Sequence, residues 1–244
     1  MLNKTNGIVL RSIKYGDSSL ITNIFTAQYG VQTYMIQGVR SSKVKQNRAG
    51  SFQPGMLLEL VVYQQQQKNM QRIKEFQPAY IYSTMQESVV KNCIVLFSVE
   101  LLLRVLPEHA PLTSLFDFAT DYFITLDKTP AEQAGNFPLF FIIHCSQALG
   151  YELKGSYGTD TPYLDLREGG FTPNPPAATH GITEDDSRAL TQMLLVNDYG
   201  TLQEVALNAA MRMRLIEWYV AFLNEHTQYS GHLKSLAVLR TILH

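Results

Sequence analysis

The residues best suited to chemistry in this 244-residue chain are cations that cluster near its beginning. Residues 40–48 include four lysine or arginine side chains and no acidic residue, and aromatic residues stand on either side of this stretch. Cations that bind phosphates, with aromatic rings that stack on bases, are typical of single-stranded nucleic-acid binding. A solvated loop would have the same composition, and we expect most of the aromatic residues to be core. The predicted contacts are Lys14, Tyr34, Arg40, Lys43, Lys45, Arg48, Arg72 and Lys74.

The other candidates for catalysis or metal binding lack the required spacing. Gly150 and Gly155 are spaced as in a phosphate-binding loop, but Ser156 stands where that loop needs a lysine. His144 and Cys145 are adjacent, so on a helix their side chains point about 100° apart and cannot converge on one metal ion or substrate. We therefore predict no catalytic site, no metal and no cofactor.

Charge divides the chain in two. Residues 1–80 contain ten Lys/Arg and three Asp/Glu, a net charge of +7, whereas residues 81–244 contain ten Lys/Arg and eighteen Asp/Glu, a net charge of −8. This asymmetry predicts two domains with different partners. The chain is 45% hydrophobic and 17% charged, which excludes global disorder, and no apolar run predicts a membrane span. The first residues lack the apolar run of a signal peptide, so we expect a cytoplasmic protein.

Two kinds of periodicity indicate the elements that position these groups. In the first 80 residues, five short segments rich in branched and aromatic residues are separated by turns. Five such strands predict a small closed barrel, of the OB-fold type or the SH3-like type. The basic stretch 40–48 would then connect the third and fourth strands. The predicted strands are residues 7–15, 19–26, 31–39, 56–64 and 70–76.

From residue 83 onward, apolar residues recur at helical spacing, and Ser83 is the predicted N-cap of the first helix. Residues 151–180 contain four glycines and four prolines and predict an irregular insertion. The predicted fold is α+β, with a five-stranded barrel at 1–80 and an all-helical domain at 81–244. The predicted helices are residues 83–106, 112–126, 138–149, 184–195, 202–224 and 232–243.

Five stretches that follow one another along the whole chain carry a resemblance to a known family. They are residues 7–21 (GIVLRSIKYGDSSLI), the basic loop, 58–63 (LELVVY), 100–108 (ELLLRVLPE) and 231–236 (GHLKSL). Together they resemble the bacterial RecO proteins of DNA repair and recombination, and the opening and ending stretches are the most specific. Many RecO proteins carry a four-cysteine zinc site in the region that matches residues 151–180. Because this region contains no cysteine here, we expect a zinc-free variant.

The resemblance implies an N-terminal OB-fold and a C-terminal helical domain, with binding to single- and double-stranded DNA. It implies annealing of single strands without ATP. It also implies loading of recombinase onto DNA coated by single-stranded DNA-binding protein (SSB), together with RecR. A protein adaptor is the alternative hypothesis, in which the barrel and its basic loop bind an acidic protein partner.

The resemblance further implies that the helical domain binds the acidic C-terminal tail of SSB, which ends in an aromatic residue. Such a tail needs an apolar pocket for its last side chain and cations for its carboxylates. Four cations have apolar neighbours in the sequence, and Arg104 is the first choice because it ends a buried helix. The four are Lys91, Arg104, Arg212 and Arg214.

Overall fold

The computed structural model describes residues 2–39, 48–65, 68–178, 180–227 and 231–243. The chain forms two compact units, of which the first is Met1–Glu87 with Val99–Lys128 and the second is Ser88–Ser98 with Thr129–His244. The first residues of helix α1 (Val89–Val105) belong to the second unit, and its last residues belong to the first. The compact units therefore do not follow a single break near residue 80.

Five strands of the first unit form a closed barrel in the order β1-β2-β3-β5-β4. β3 and β5 pair in parallel, while the other neighbouring strands, including β4 and β1, are antiparallel. This order and the single parallel pair are those of the OB-fold, so the predicted five-stranded OB barrel is confirmed. The strands are β1 (Leu2–Tyr15), β2 (Ser19–Thr26), β3 (Gly30–Ile36), β4 (Leu57–Tyr63) and β5 (Met70–Pro78).

Alternation of side chains along the strands builds the barrel core. Ile24, Tyr34 and Val62 point inward and are fully buried, whereas their neighbours in sequence point outward or are half-buried. In β1 the register shifts between Val9 and Arg11. This irregularity changes which face each residue occupies, so Arg11 is exposed although the three residues before it are buried.

Helix α2 (Thr113–Lys128) completes the first unit. Its Phe116 packs edge-on against Phe25 of the barrel, with ring centroids 5.4 Å apart. At its other end, the Asp127 carboxylate accepts hydrogen bonds from the backbone N–H groups of residues 83, 84 and 85, at 2.9, 2.9 and 2.7 Å. The predicted helix start at Ser83 is therefore wrong. α1 begins at Val89, where the Ser88 hydroxyl accepts the N–H of Lys91 at 3.3 Å.

The second unit is mainly helical. It contains α3 (Phe137–Ala148), α4 (Glu184–Leu194), α5 (Tyr199–Glu204), α6 (Ala209–His226) and α7 (Lys234–Ile242). The single helix predicted over 202–224 is wrong, because the chain is extended between α5 and α6. There Asn208 caps α6 by accepting the N–H of Met211 at 2.8 Å, and the Asn136 amide donates to the Val205 carbonyl at 2.8 Å. No helix within the described residues combines the length and apolar character needed to span a membrane.

The helical character predicted for the C-terminal region is confirmed, and the segment 151–180, predicted as an irregular insertion, contains a small antiparallel hairpin, β6 (Tyr163–Asp165) and β7 (Gly170–Thr172). Leu164, Leu166 and Phe171 are buried. Lys154 runs beside Gly170, and a Cβ atom on that glycine would lie 2.2 Å from the Lys154 carbonyl oxygen. Only glycine fits this approach, which explains one of the four glycines of the segment.

Candidate functional site

Three connections of the barrel lie around the last residues of β3. β1 turns into β2 there, with Tyr15 opposite Ser19, and β4 ends there at Tyr63 opposite Arg72 near the start of β5. β3 also ends there, because its Met35 lies opposite Arg72. In OB-folds, oligonucleotides bind the face of strands 2 and 3 and the loops between strands 1 and 2 and between strands 4 and 5. We call this region the loop end of the barrel.

The predicted cations Lys14 and Arg72 are exposed at the loop end, and within the described residues neither forms an ion pair. Arg11 and Lys68 are also exposed there and were not among the predicted contacts. Lys74 differs, because its ammonium lies 3.2 Å from the Glu75 carboxylate. Both side chains of that pair are exposed, so the pair contributes at most about 1 kcal/mol to stability but reduces the charge that Lys74 presents.

Most of the basic stretch lies outside the described residues, namely Arg40, Lys43 and Lys45. Arg48 begins a 3-10 helix (Arg48–Phe52), and its side chain also lies outside the description. The stretch follows β3, so its first residue comes after a strand that ends at the loop end. The role of these four cations stays a prediction.

Tyr34 is a core residue rather than a nucleic-acid contact, which corrects the prediction. It lies on the inward face of β3, is 0% exposed, and belongs to the barrel core with Val9 and Leu60. Burial raises the pKa of its phenol, and within the described residues its hydroxyl has no hydrogen-bond partner. A base could not reach this ring without opening the barrel.

Tyr15 and Tyr63 are the exposed tyrosines of the loop end, at 53% and 44%. The signal that could have selected Tyr63 is the two-residue alternation of β4. Leu58, Leu60 and Val62 are buried, so Tyr63 must share the outward face with Glu59. In β3 the same two-residue alternation places Tyr34 on the inward face. Nearness to cations in the sequence cannot distinguish Tyr63 from Tyr34. The distinction also requires knowing which residues of each strand face the core.

In the second unit, Arg214 is committed to an internal ion pair. Its guanidinium donates two hydrogen bonds to the carboxylate of Asp186, at 2.9 and 2.8 Å, and Asp186 is fully buried. Burial raises the carboxyl pKa, but the bonds from Arg214 and Thr183 outweigh it and lower the pKa of Asp186. Asp186 also completes the capping box of α4 with Thr183.

Arg212, two residues away, donates hydrogen bonds to two neutral oxygens of the described residues. Its Nε donates to the Asn136 side-chain oxygen at 3.0 Å, and one terminal nitrogen donates to the Leu207 carbonyl at 2.9 Å. Within the described residues no carboxylate pairs with it, and burial lowers its pKa. The two remaining candidates differ again, since Lys91 is buried and Arg104 is exposed on the last turn of α1. Arg104 belongs to the first unit and the other three cations to the second.

Two family profiles match almost the whole chain. Recombination protein O N terminal matches residues 1–82, and Recombination protein O C terminal matches residues 86–237. The chain belongs to the RecO family. Membership supports a role in DNA repair, and the two profiles meet between the barrel and α1.

Relatives named DNA repair protein RecO are similar over their full length. The protein of Bacteroides fragilis is 30% identical over 244 residues, which cover 99% of this chain and 97% of that protein. The proteins of Christiangramia forsetii and Porphyromonas gingivalis are each 27% identical, and 99% of both chains is covered in each case. The resemblance found from the sequence blocks is thereby confirmed.

The zinc ligands found in many RecO proteins have no counterpart in residues 151–180, which contain no cysteine. Cys93 and Cys145 are buried, unpaired with each other and outside this segment. Across the described ranges, no group of three or more His, Cys, Asp or Glu side chains is placed to hold a metal ion. The zinc-free character of this RecO chain remains a prediction that elemental analysis can test.

Proposed function

We propose that this RecO-family chain is a non-enzymatic, DNA-binding recombination mediator of the cytoplasm, associated with the nucleoid. It binds single- and double-stranded DNA, anneals complementary single strands without ATP, and acts with RecR to load recombinase onto SSB-coated DNA. The observation that carries this proposal is the loop end of the barrel. There the exposed Lys14 adjoins the exposed Tyr15 in sequence, and the exposed Arg72 lies opposite the exposed Tyr63, near the end of the strand that precedes the basic stretch in sequence. Cations and aromatic rings together are what single strands require.

We assign the SSB tail to the cations of the helical region. Arg212 is the stronger candidate on α6, because it makes no ion pair within the described residues, whereas Arg214 is held by Asp186. Arg104 remains the alternative, because it is exposed at the end of α1. Lys91 is buried, which opposes a direct contact between its side chain and a peptide.

The test of the DNA-binding proposal is a salt titration of single-strand binding by the full chain. Arg40, Lys43, Lys45 and Arg48 are changed together to Ala. If each cation neutralises one phosphate, the slope of log K against log salt becomes shallower by about 0.7 per contact, or roughly 3 in total. All sequences should weaken about equally, since phosphate contacts carry no sequence information.

The matched control removes the same charge from exposed cations of the second unit, by changing Lys154, Arg167, Lys234 and Arg240 to Ala. Its slope should stay close to that of the parent. If the barrel variant keeps the parental slope, its four cations are only solvated, and the adaptor hypothesis becomes the better description. An equal change in both variants would indicate an effect of net charge alone.

A further inference from the structure

One row of outward side chains crosses the loop end from strand to strand. Ile13 lies opposite Ile21, Ile21 opposite Met35, Met35 opposite Arg72, and Arg72 opposite Tyr63. Ile13 and Tyr63 are each 44% exposed, Arg72 is exposed, and Ile21 and Met35 are half-buried. Neighbouring strands lie about 4.8 Å apart, so the row spans roughly 19 Å of the barrel surface. We call these five residues the outer row.

The composition of the outer row is unusual for exposed strand surface. Four of its five side chains are apolar or aromatic, its only charge is the positive charge of Arg72, and it contains no acid. Exposed apolar patches rimmed by polar groups mark binding sites on soluble proteins. The neighbouring cations Arg11 and Lys68 add positive charge at its rim. A polyanion that also presents flat apolar faces matches this surface, whereas an acidic peptide matches only its charge.

The β4–β5 connection is held against the outer row by a buried side chain. Gln71 points inward from β5 and accepts the N–H of Gln65 at 3.0 Å. Its amide donates to the carbonyls of Gln65 and Lys68, at 2.8 and 2.7 Å. These residues, with Met35, Tyr63, Met70 and Arg72, line a surface depression of about 530 Å³, within the size range of sites that hold a small organic group. Gln71 is thus a positioning residue for a preformed site.

We propose that the outer row is the single-strand selectivity site of the barrel. Unpaired bases stack on Tyr63 and lie against Met35. Arg72, which lies between Tyr63 and Met35, binds the phosphate or stacks on a base. Bases in a duplex have both faces covered by their neighbours, so only an unpaired strand can use this contact. The proposal rests on the DNA-binding function above. It adds that the barrel recognises the flat face of an unpaired base.

The test compares three probes with the full chain: a 15-mer oligo-dT, an abasic strand of the same length, and a duplex. Tyr63→Ala should weaken binding to the dT strand about tenfold, which is the usual effect of removing one stacking ring. It should leave the salt slope, the abasic strand and the duplex unchanged. Tyr63→Phe should restore parental binding, because the ring and not the hydroxyl carries the contact. Tyr163→Ala is the matched control and should bind all three probes like the parent, since Tyr163 is an exposed tyrosine of the second unit and does not belong to the loop end.

A second measurement locates the contact directly. A dT strand with one 5-iododeoxyuridine should cross-link on irradiation to the peptide that contains Tyr63, and not to that peptide in Tyr63→Ala. If the parent binds none of the probes, the DNA-binding function itself fails. If the parent binds dT and Tyr63→Ala binds it equally well, or weakens all three probes equally, base stacking on the outer row is refuted while DNA binding stands.

Discussion

At the scale of single residues, Arg212 and Arg214 show that sequence spacing does not decide which cation a ligand can use. Both stand in the first part of α6, but Arg214 closes a bidentate pair with the buried carboxylate of Asp186. An incoming carboxylate would have to replace that pair. Arg212 instead lies against Gly135, and a Cβ atom on that glycine would come within 2.9 Å of the guanidinium carbon. Among the described residues, Arg212 donates hydrogen bonds to neutral oxygens only. A carboxylate from outside the chain would complete its charge balance.

We therefore predict that Arg212→Gln weakens binding of an SSB-tail peptide about five- to tenfold, the usual effect of losing one charge-assisted hydrogen bond. Glutamine keeps a donor for the Asn136 oxygen, so circular dichroism should show an unchanged fold. The measurement is fluorescence anisotropy of a labelled peptide. Arg240→Gln is the control, because it removes the same charge from an exposed pair with Glu217. If only Arg104→Gln weakens binding, the tail lies on the first unit instead.

At the scale of elements, Asp127 connects the end of α2 to the chain that leaves the barrel. One carboxylate oxygen accepts the N–H groups of Thr84 and Met85, and the other accepts the N–H and hydroxyl of Ser83. The side chain is 0% exposed. Burial raises the pKa of Asp127, but the backbone hydrogen bonds from residues 83–85 outweigh it and hold this pKa well below its usual range.

Asp127→Asn should lower the free energy of unfolding by about 2–4 kcal/mol at pH 7, because the amide nitrogen would face backbone N–H donors. The folded-state pKa is depressed, so the carboxylate contribution is complete above the unfolded-state pKa of about 4 and is lost as pH falls toward the folded-state value. Urea midpoints of parent and variant should therefore converge in acid. Asp121→Asn, on the exposed face of α2, is the control. A constant difference between parent and variant from pH 7 to pH 3 would contradict this account.

The same contacts explain what the sequence could predict of the elements. Strand alternation and glycine turns are local, and they predicted all five barrel strands within a few residues. Helix boundaries depended on distant groups. Ser83 is held by Asp127, 44 positions away, and the break between α5 and α6 is stabilised by Asn136, 69 positions from Val205. Local patterns do not contain such partners, so α1 was predicted too early and α5 and α6 were predicted as one helix.

At the scale of the whole molecule, local sequence features predicted part of the candidate site, and the rest depended on contacts between distant residues. The basic first third was visible from charge alone, and it corresponds to an OB barrel whose loop end exposes Lys14 and Arg72. The position of Tyr34 was misjudged, because nearness to cations in sequence ignores which face of the strand is buried. The outer row joins one residue from each of the five strands, and its members are up to 59 positions apart in the chain, from Ile13 to Arg72. Only barrel closure brings them together.

The hairpin of the second unit gives the last prediction, which concerns metal. Packing stabilises the hairpin, because Leu164 and Phe171 are buried, Gly170 lies against Lys154, and a ring nitrogen of His226 is 2.7 Å from the Leu166 carbonyl oxygen. The purified protein should contain no stoichiometric zinc, and its Tm should be the same with EDTA as with added zinc, since no metal ties the hairpin down. Gly170→Ala should lower Tm by several degrees, because its new methyl group meets the Lys154 backbone. Gly181→Ala is the control for a glycine in open space, although its φ of 76° adds a smaller strain. A Tm that falls in EDTA, together with zinc found by elemental analysis, would show that histidines and carboxylates bind a metal despite the missing cysteines.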